Sequence, residues 1–324
     1  KKYCNKKGVF VSNLLVFPGQ GSQFVGMGKS FSENFKVSKN VFEEVNESLS
    51  LNLTKIMWEG DLTELTKTEN AQPALMAVSI AMLKAIENEV GINYDKVLFI
   101  AGHSLGEYSA LVAANSLKLD VAAKLLKIRG QSMQKAVPVG QGAMAAIIGT
   151  SIEQVENLTT EINSIYPECV CDIANDNAPG QVVISGHNVA IDKAIELASN
   201  FGSRKAMKLP VSAPFHCSLM LKAAEEMMEA FSEIDITDPI IPIISNITAG
   251  IETSKEKIIE LLIKQVTGRV RWTETILFAK DNNINTIYEI GAGKVLSGLV
   301  KRIDGSLNSI SINDPSQIDN FKLS

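Results

Sequence analysis

The residues with the clearest chemical potential lie in Gly102-His103-Ser104-Leu105-Gly106, directly after the apolar run 96–100. A run of β-branched and aromatic residues of this length is typical of a buried parallel strand. The alanine-rich segment 108–114 that follows favours a helix. Strand, tight Gly-x-Ser-x-Gly turn and helix together form a nucleophile elbow, which lifts the serine hydroxyl above a sheet. The sequence therefore predicts a nucleophile at Ser104 and an oxyanion donor at the N–H of Leu105. A glycine-rich turn with an incidental serine is the alternative.

A serine hydroxyl needs a base within hydrogen-bond reach, and the chain has three histidines. His103 adjoins the serine inside the tight turn, so its side chain should diverge from the hydroxyl. His187 lies in a turn between a predicted strand and a predicted helix, where a structural role is typical. His216 lies where the chain returns from a predicted inserted module and faces the cleft. We therefore expect His216 to be the general base.

No acidic residue stands out as the partner of that histidine. An α/β-hydrolase places its acid between serine and histidine in sequence. Asp172, Asp176 and Asp192 meet this order, but all three lie in the predicted inserted module. A backbone carbonyl that orients the imidazole is the alternative.

Two further segments carry groups suited to binding an acyl substrate. The loop Phe17-Pro18-Gly19-Gln20-Gly21 follows the first predicted strand, so it should rim the same sheet end as Ser104. Its Gln20 N–H is a candidate second oxyanion donor, and a plain glycine-rich turn is the alternative. Arg129 lies on an otherwise apolar helix. It could clamp a substrate carboxylate in a bidentate manner, or it could form an internal ion pair or snorkel to solvent.

By contrast, the segment 291–294 lacks the spacing of a phosphate loop, and we interpret it as a structural turn.

The elements that must position these groups indicate an α/β fold. Strands at 13–17, 97–100, 240–245 and 286–290 alternate with helices at 73–90 and from Asp120, which predicts an α/β-hydrolase-like, largely parallel sheet. From Pro138 the pattern becomes βαββαβ and predicts an inserted ferredoxin-like small domain. Its elements are expected at 143–148, 151–166, 168–174, 181–185, 189–201 and 205–209. The predicted domains are therefore 1–137 with 211–324 for the large domain, and 138–210 for the small one.

Composition narrows the class of protein. The 324 residues are 45% hydrophobic and 21% charged, as in ordinary globular proteins, and the net charge of −5 argues against nucleic-acid binding. No apolar run reaches the roughly 18 residues that cross a membrane. Four cysteines without CxxC or zinc spacing predict reduced thiols and no metal site.

Lysines 1, 2, 6 and 7 precede the first strand without an acidic neighbour, which is consistent with a transit-peptide remnant or a trimmed chain.

Several segments taken together resemble the malonyl-CoA:acyl carrier protein transacylase family of type II fatty acid synthesis. They cover nearly the whole chain: FPGQGSQ (17–23), QPAL (72–75), GHSLGEYSAL (102–111), RGQSMQKAVP (129–138), GAMAAIIG (142–149), NAPGQVVISG (177–186), PVSAPFHCSLM (210–220) and GAGKVLSGLVKRI (291–303). Each segment alone is weak, whereas the joint pattern is specific.

The resemblance implies a role for each candidate residue. Ser104 would be the acylated nucleophile and His216 its base, with the N–H groups of Gln20 and Leu105 as the oxyanion hole. Arg129 would bind the malonyl carboxylate. Further pocket residues would be Gln72, His103 and Phe215. The family holds its histidine by a backbone carbonyl, which this comparison assigns to Arg271, where the family commonly has glutamine.

The implied reaction transfers malonyl from malonyl-CoA to the phosphopantetheine thiol of acyl carrier protein through a malonyl-serine. No cofactor, nucleic acid or membrane is expected, and the expected oligomeric state is a monomer. Basic residues that could face the acidic carrier protein are Arg204, Lys205 and Lys208. The expected location is a plastid-type organelle stroma, with the bacterial cytoplasm as the alternative. A serine esterase or thioesterase of α/β-hydrolase type and a non-catalytic carrier-protein-binding scaffold are the rival functions.

Overall fold

A computed structural model describes residues 12–211 and 213–322. The lysines near the start of the chain, on which the transit-peptide interpretation depends, lie outside the described residues, as does Cys4. The α-helices are α1 Lys29–Asn34, α2 Lys36–Ser48, α3 Leu53–Glu59, α4 Leu62–Thr66, α5 Thr68–Glu89, α6 Gly106–Ala113, α7 Leu119–Lys135, α8 Ile152–Ile165, α9 Asn188–Leu197, α10 Leu221–Ser232, α11 Lys255–Thr267, α12 Trp272–Asp281 and α13 Val295–Ile303.

The first sheet contains the strands β1 Ser12–Phe17, β2 Val97–Gly102, β7 Ile243–Ile244, β8 Ile251–Glu252, β10 Ile284–Ile290 and β11 Asn308–Ile312. Its strand order is β11-β10-β1-β2-β7-β8, with β1 and β2 at the centre. All neighbouring pairs are parallel except β7 with β8, which confirms the predicted largely parallel sheet. Successive residues of β1 enter different cores, since Leu14 packs with the cluster around α12 and α13 and Leu15 with the cluster around α5 and α7.

Helix α5 begins at Thr68, five residues before the predicted start at Pro73. Proline lacks the N–H that would bond to the carbonyl four residues earlier, and this loss favours a helix start at that position. Here the helix passes through the proline because most of its residues are buried on every side. Helices that are apolar all round belong to protein cores, so tertiary packing outweighs the local signal.

The second sheet contains the strands β3 Gly142–Ile148, β4 Cys171–Ala178, β5 Gln181–His187, β6 Lys205–Lys208 and β9 Val270–Arg271. Its strand order is β6-β3-β5-β4-β9, and it is antiparallel between the first four strands of that order. Within the segment 142–208 the chain runs βαββαβ, as predicted, and the strand order is that of a ferredoxin-like module. Because β4 reaches Ala178, the loop expected at 175–180 shrinks to the turn Pro179-Gly180. The domain limits at 138 and 210 stay predictions.

Strand β9 was not predicted, and it ties the two parts of the chain together. It comes from the sequence after the predicted insertion and pairs in parallel with β4, with Asp176 opposite Arg271. The small sheet is therefore completed by a segment of the large domain.

The turn at 291–294 is structural, as its spacing indicated. The carboxylate of Glu289 accepts hydrogen bonds from the backbone N–H of Leu296 at 2.9 Å and of Ser297 at 2.7 Å. These are N–H groups of the first turn of α13, which otherwise lack partners. A carboxylate of the protein thus already occupies the position where a phosphate would bind.

Three further observations concern the described residues. Cys169, Cys171 and Cys217 are free thiols. None of the helices is long and apolar enough to cross a membrane. No cluster of three or more His, Cys, Asp or Glu side chains in this part of the chain could hold a metal ion.

Candidate active site

Ser104 occupies a strained turn between β2 and α6. Its φ of 54° lies in the left-handed region, which residues other than glycine adopt rarely. The flanking glycines are required by space, since a Cβ on Gly102 would lie 1.9 Å from the carbonyl carbon of Gly106. A Cβ on Gly106 would lie 2.3 Å from the carbonyl oxygen of Phe17. This close packing produces the sharp turn that exposes the serine hydroxyl at the carboxyl end of the sheet.

His216 lies within hydrogen-bond distance of that hydroxyl. Its Nε2 is 2.8 Å from Ser104 Oγ, and its Nδ1 is 2.8 Å from the backbone carbonyl oxygen of Gln265. A carbonyl only accepts, so Nδ1 carries the proton and Nε2 is left to accept the serine proton. Burial, and next the charge of Arg129, lower the pKa of His216 to about 3. The imidazole is therefore neutral at physiological pH, the state that a general base needs.

The expectation that Arg271 supplies the histidine-orienting carbonyl is wrong. Gln265 supplies it, because α11 ends at Thr267 and the carbonyls of a last helical turn have no partner within the helix. The carbonyl of Arg271 instead accepts the hydroxyl of Thr275 at 2.9 Å. The Arg271 side chain pairs with Glu274.

No carboxylate is bonded to His216 in the described part of the chain. The three aspartates that sequence order allowed all bond elsewhere, namely Asp172 to Ser218, Asp176 to Thr273 and Asp192 to Lys208. His187 is structural, since its Nδ1 accepts the backbone N–H of Val170 at 2.8 Å. The site is a serine–histidine pair held by a backbone carbonyl.

Arg129 is buried, with 1% of its surface exposed, and lies beside the nucleophile. It donates from Nη1 to Gln72 Oε1 at 2.7 Å, from Nη2 to Gln265 Oε1 at 2.8 Å, and from Nη2 to Ser104 Oγ at 3.2 Å. Its Nε has no partner among the described residues, and it makes no ion pair with any of their carboxylates. The guanidinium lies 5.8 Å from the ring centre of Tyr108. A buried cation with only neutral hydrogen-bond partners is suited to binding an anionic ligand.

The two predicted oxyanion donors lie on neighbouring loops. Leu105 immediately precedes α6, so its N–H belongs to the positive end of that helix. The Gln20 loop packs on the elbow, since a Cβ on Gly19 would lie 2.6 Å from the carbonyl oxygen of His103. Over the residues that the structure describes, neither the Leu105 N–H nor the Gln20 N–H donates a hydrogen bond within the protein. Both are available to a developing oxyanion.

Of the remaining predicted pocket residues, Gln72 and Phe215 adjoin these groups, whereas the His103 side chain bonds elsewhere. Gln72 bonds to the Arg129 guanidinium, as described above. The ring of His103 points away from the serine and bonds through Nε2 to Asn177 Oδ1 at 2.8 Å, joining the two sheets. Phe215 immediately precedes the base and is mostly buried.

Sequence reasoning missed Gln265, Glu107 and Asn246, which connect these groups. A signal existed for Gln265, because it continues the buried apolar stripe of α11 at Ile258 and Leu261. A polar residue on such a stripe must find buried partners.

The comparisons with known proteins identify the family of the chain. A family model described as "Acyl transferase domain" matches residues 14–303. A malonyl CoA-acyl carrier protein transacylase of Bacillus subtilis is 45% identical over 304 residues, covering 94% of both chains. The protein of that name from Escherichia coli K12 is 38% identical and covers 93% of this chain and 96% of that one.

Solved structures give the same result. The acyl-carrier-protein-S-malonyltransferase of Bartonella henselae shows 48% identity and a TM-score of 0.92, covering 96% of this chain and 98% of that one. A malonyl-transacylase in complex with its type II PKS acyl-carrier protein shows 37% identity and a TM-score of 0.91, covering 95% and 98%. This chain therefore belongs to the acyl transferase domain family and is an acyltransferase.

Proposed function

We propose that this protein transfers the malonyl group from malonyl-CoA to the phosphopantetheine thiol of acyl carrier protein, which supplies malonyl units for fatty acid synthesis. The observation that carries the proposal is Arg129, a buried guanidinium that pairs with no carboxylate of the described residues and lies 3.2 Å from the Ser104 hydroxyl. An acyl group bearing a second carboxylate would pair with this cation while its thioester carbon meets the serine. The names of the relatives above support the same substrate.

The reaction proceeds in two matched halves. His216 Nε2 accepts the proton as Ser104 Oγ attacks the thioester carbon, and the N–H groups of Leu105 and Gln20 bind the oxyanion. Collapse of the tetrahedral intermediate breaks the carbon–sulfur bond, and His216 returns the proton to the departing coenzyme A thiolate. The carrier-protein thiol then gives its proton to His216 and attacks the malonyl-serine ester. Collapse of this second tetrahedral intermediate breaks the bond to Ser104 Oγ, and His216 returns the proton to that oxygen, which regenerates the serine. Each half conserves protons and needs no cofactor.

The hydrogen-bond partner of His216 argues against the esterase alternative. It predicts an acidic partner for the base, whereas the partner is the carbonyl of Gln265. It also predicts release of coenzyme A at full rate without any acceptor protein.

A mass-spectrometric experiment tests the proposal directly. Protein mixed with malonyl-CoA should gain the mass of one malonyl group on the peptide that contains Ser104, and Ser104→Ala should gain none. Holo-acyl carrier protein should then remove the label and become malonylated. Absence of the adduct would revive the non-catalytic scaffold, and equally fast loss of the label to water would favour the esterase.

The partner surface, the oligomeric state and the location are part of this proposal. Strand β6 is an edge strand, and its Lys205 and neighbouring Arg204 are exposed, whereas Lys208 is already paired with Asp192 at 2.6 Å. We therefore assign carrier-protein contact to Arg204 and Lys205 first, and charge reversal at both should raise KM for the carrier protein.

We expect a monomer in solution by light scattering. A plastid stroma stays the predicted location. The named bacterial relatives agree with the alternative, the bacterial cytoplasm, and imaging of the tagged full-length protein separates the two.

A further inference from the structure

Glu107 is a buried carboxylate that the reaction above does not use. It lies three residues after Ser104, on α6, with 3% of its surface exposed. One carboxylate oxygen accepts the backbone N–H of Asn246 at 2.8 Å, and the other accepts Nε2 of Gln265. Burial raises its pKa to about 8, while those two donors and the charge of Arg129 oppose the rise. A buried carboxylate is unfavourable unless its partners need two acceptors at that place.

The Gln265 side chain uses one of these two acceptors. Its Nε2 faces three oxygens, those of the Ser104 carbonyl at 2.9 Å, the Glu107 carboxylate and Asn246 Oδ1 at 3.3 Å. Its Oε1 accepts from Arg129 Nη2 at 2.8 Å. The two ends of an amide have nearly the same shape, so hydrogen-bond partners alone decide which end faces which way.

The orientation of this amide affects Arg129 directly. The guanidinium is held between two amide oxygens, one from Gln72 and one from Gln265. If the Gln265 amide turned over, an NH₂ group would face the guanidinium, and two donors would oppose each other. Arg129 would then lose the acceptor that fixes its plane beside the nucleophile.

We propose that Glu107 is a positioning residue: one carboxylate oxygen is anchored by the Asn246 N–H, and the other fixes the orientation of the Gln265 amide, which in turn holds the Arg129 guanidinium in place for the carboxylate of the substrate. The inference rests on the proposed function, because it assumes that Arg129 binds that carboxylate. It adds a residue that touches neither substrate nor base but sets acyl-group selectivity.

The substitution Glu107→Gln tests the inference while keeping side-chain volume. The backbone N–H of Asn246 cannot change its role, so the new amide should direct its oxygen there and its NH₂ group toward Gln265. Two NH₂ groups would then oppose each other, and we expect Gln265 to turn over at the expense of its bonds to the Ser104 carbonyl and Asn246 Oδ1, so that its own NH₂ group faces Arg129. We expect the ratio of malonyl to acetyl acylation rates of Ser104, measured in single turnovers by mass spectrometry, to fall about 10- to 100-fold, the range for a lost hydrogen bond to a charged group.

Glu289→Gln is the matched control. Glu289 is also a fully buried carboxylate that accepts two N–H groups, but both belong to the start of α13. Its substitution should lower the melting temperature and leave the malonyl-to-acetyl ratio unchanged. If Glu107→Gln acted only by disturbing the packing around a buried carboxylate, Glu107→Gln and Glu289→Gln would change the melting temperature and the malonyl-to-acetyl ratio in the same way.

A second variant keeps the test decisive if Glu107→Gln folds poorly. Gln265→Met keeps the backbone carbonyl that holds His216 and removes only the amide, so it should lower the same ratio by a similar factor. Adding Glu107→Gln to Gln265→Met should lower the ratio no further, because both act through one amide.

The outcomes separate the inference from the proposed function. A wild-type protein that forms no malonyl-serine would overturn the function. A wild-type protein that forms it, together with an unchanged ratio in either Glu107→Gln or Gln265→Met, would overturn the inference alone. A lower ratio in both, with Glu289→Gln unchanged, supports it.

Discussion

Replacing Arg129 by alanine should abolish the preference for malonyl and leave acylation chemistry in place. Removing one partner of a buried ion pair costs about 3–5 kcal/mol, because the other charge stays buried without compensation. At 1.36 kcal/mol for each factor of ten, acylation by malonyl-CoA should slow by roughly two to nearly four orders of magnitude. Acetyl-CoA offers no carboxylate and now meets a pocket without an unpaired cation, so its rate should hold or rise.

The assay compares the formation rates of the malonyl-serine and acetyl-serine adducts on the same enzyme preparation. Arg129→Lys is the control, since lysine keeps the charge but loses the planar fork that binds a carboxylate with two hydrogen bonds. Its malonyl rate should fall between those of wild type and Arg129→Ala. Arg129→Ala also leaves the side-chain oxygens of Gln72 and Gln265 without their donor. Circular dichroism must therefore first show that Arg129→Ala is folded.

The result that would refute this reasoning is a malonyl rate for folded Arg129→Ala close to that of wild type. Equal losses for malonyl and acetyl would also refute it, because they would show that the guanidinium supports the serine–histidine pair rather than the acyl group.

Three other outcomes follow from the geometry. Since the pKa of His216 is lowered to about 3, the base is neutral above that pH, and single-turnover acylation by acetyl-CoA, which does not use Arg129, should stay flat from pH 5 to 8; an acid limb near the ordinary histidine pKa would contradict this. We expect the Phe215 ring, next to His216, to crowd an α-methyl branch on the acyl group, so Phe215→Ser should raise the rate of transfer from methylmalonyl-CoA. An unchanged methylmalonyl rate would contradict this role of the ring. Gly102→Ala should destabilise the protein by several kcal/mol in thermal denaturation, because its Cβ would overlap Gly106. Gly298→Ala, at an open helical position, should not; equal melting temperatures would show that the elbow can relax.

The elbow could be predicted from sequence because its constraints are local. Gly102, Ser104 and Gly106 lie within five residues, and the strand before them and the helix after them carry strong signals of their own. The βαββαβ module was predictable for the same reason, since each element shows its own hydrophobic period. The start of α5 was not, because the packing around Pro73 comes from helices that are distant in sequence.

The carbonyl that holds His216 could not be found locally. Gln265 is 49 residues from the histidine, and its carbonyl is free only because α11 ends two residues later. The resemblance assigned this role six positions further on, at Arg271, where the chain starts another helix and the carbonyl is occupied. A backbone acceptor has no residue signature, so sequence could suggest that such a group exists but could not give its position.

Gln265 joins the two requirements of the site in one residue. Its backbone carbonyl fixes the tautomer of His216, and its side-chain amide reaches the Ser104 carbonyl and the Arg129 guanidinium. A shift in the last turn of α11 would therefore move the base and the carboxylate-binding group together. Proton transfer is independent of the identity of the acyl group, whereas carboxylate binding is not. The two functions of Gln265 can thus be separated experimentally only by changes that spare its backbone, which is why side-chain substitutions at Gln265 and Glu107 are more informative than changes in the length of the helix.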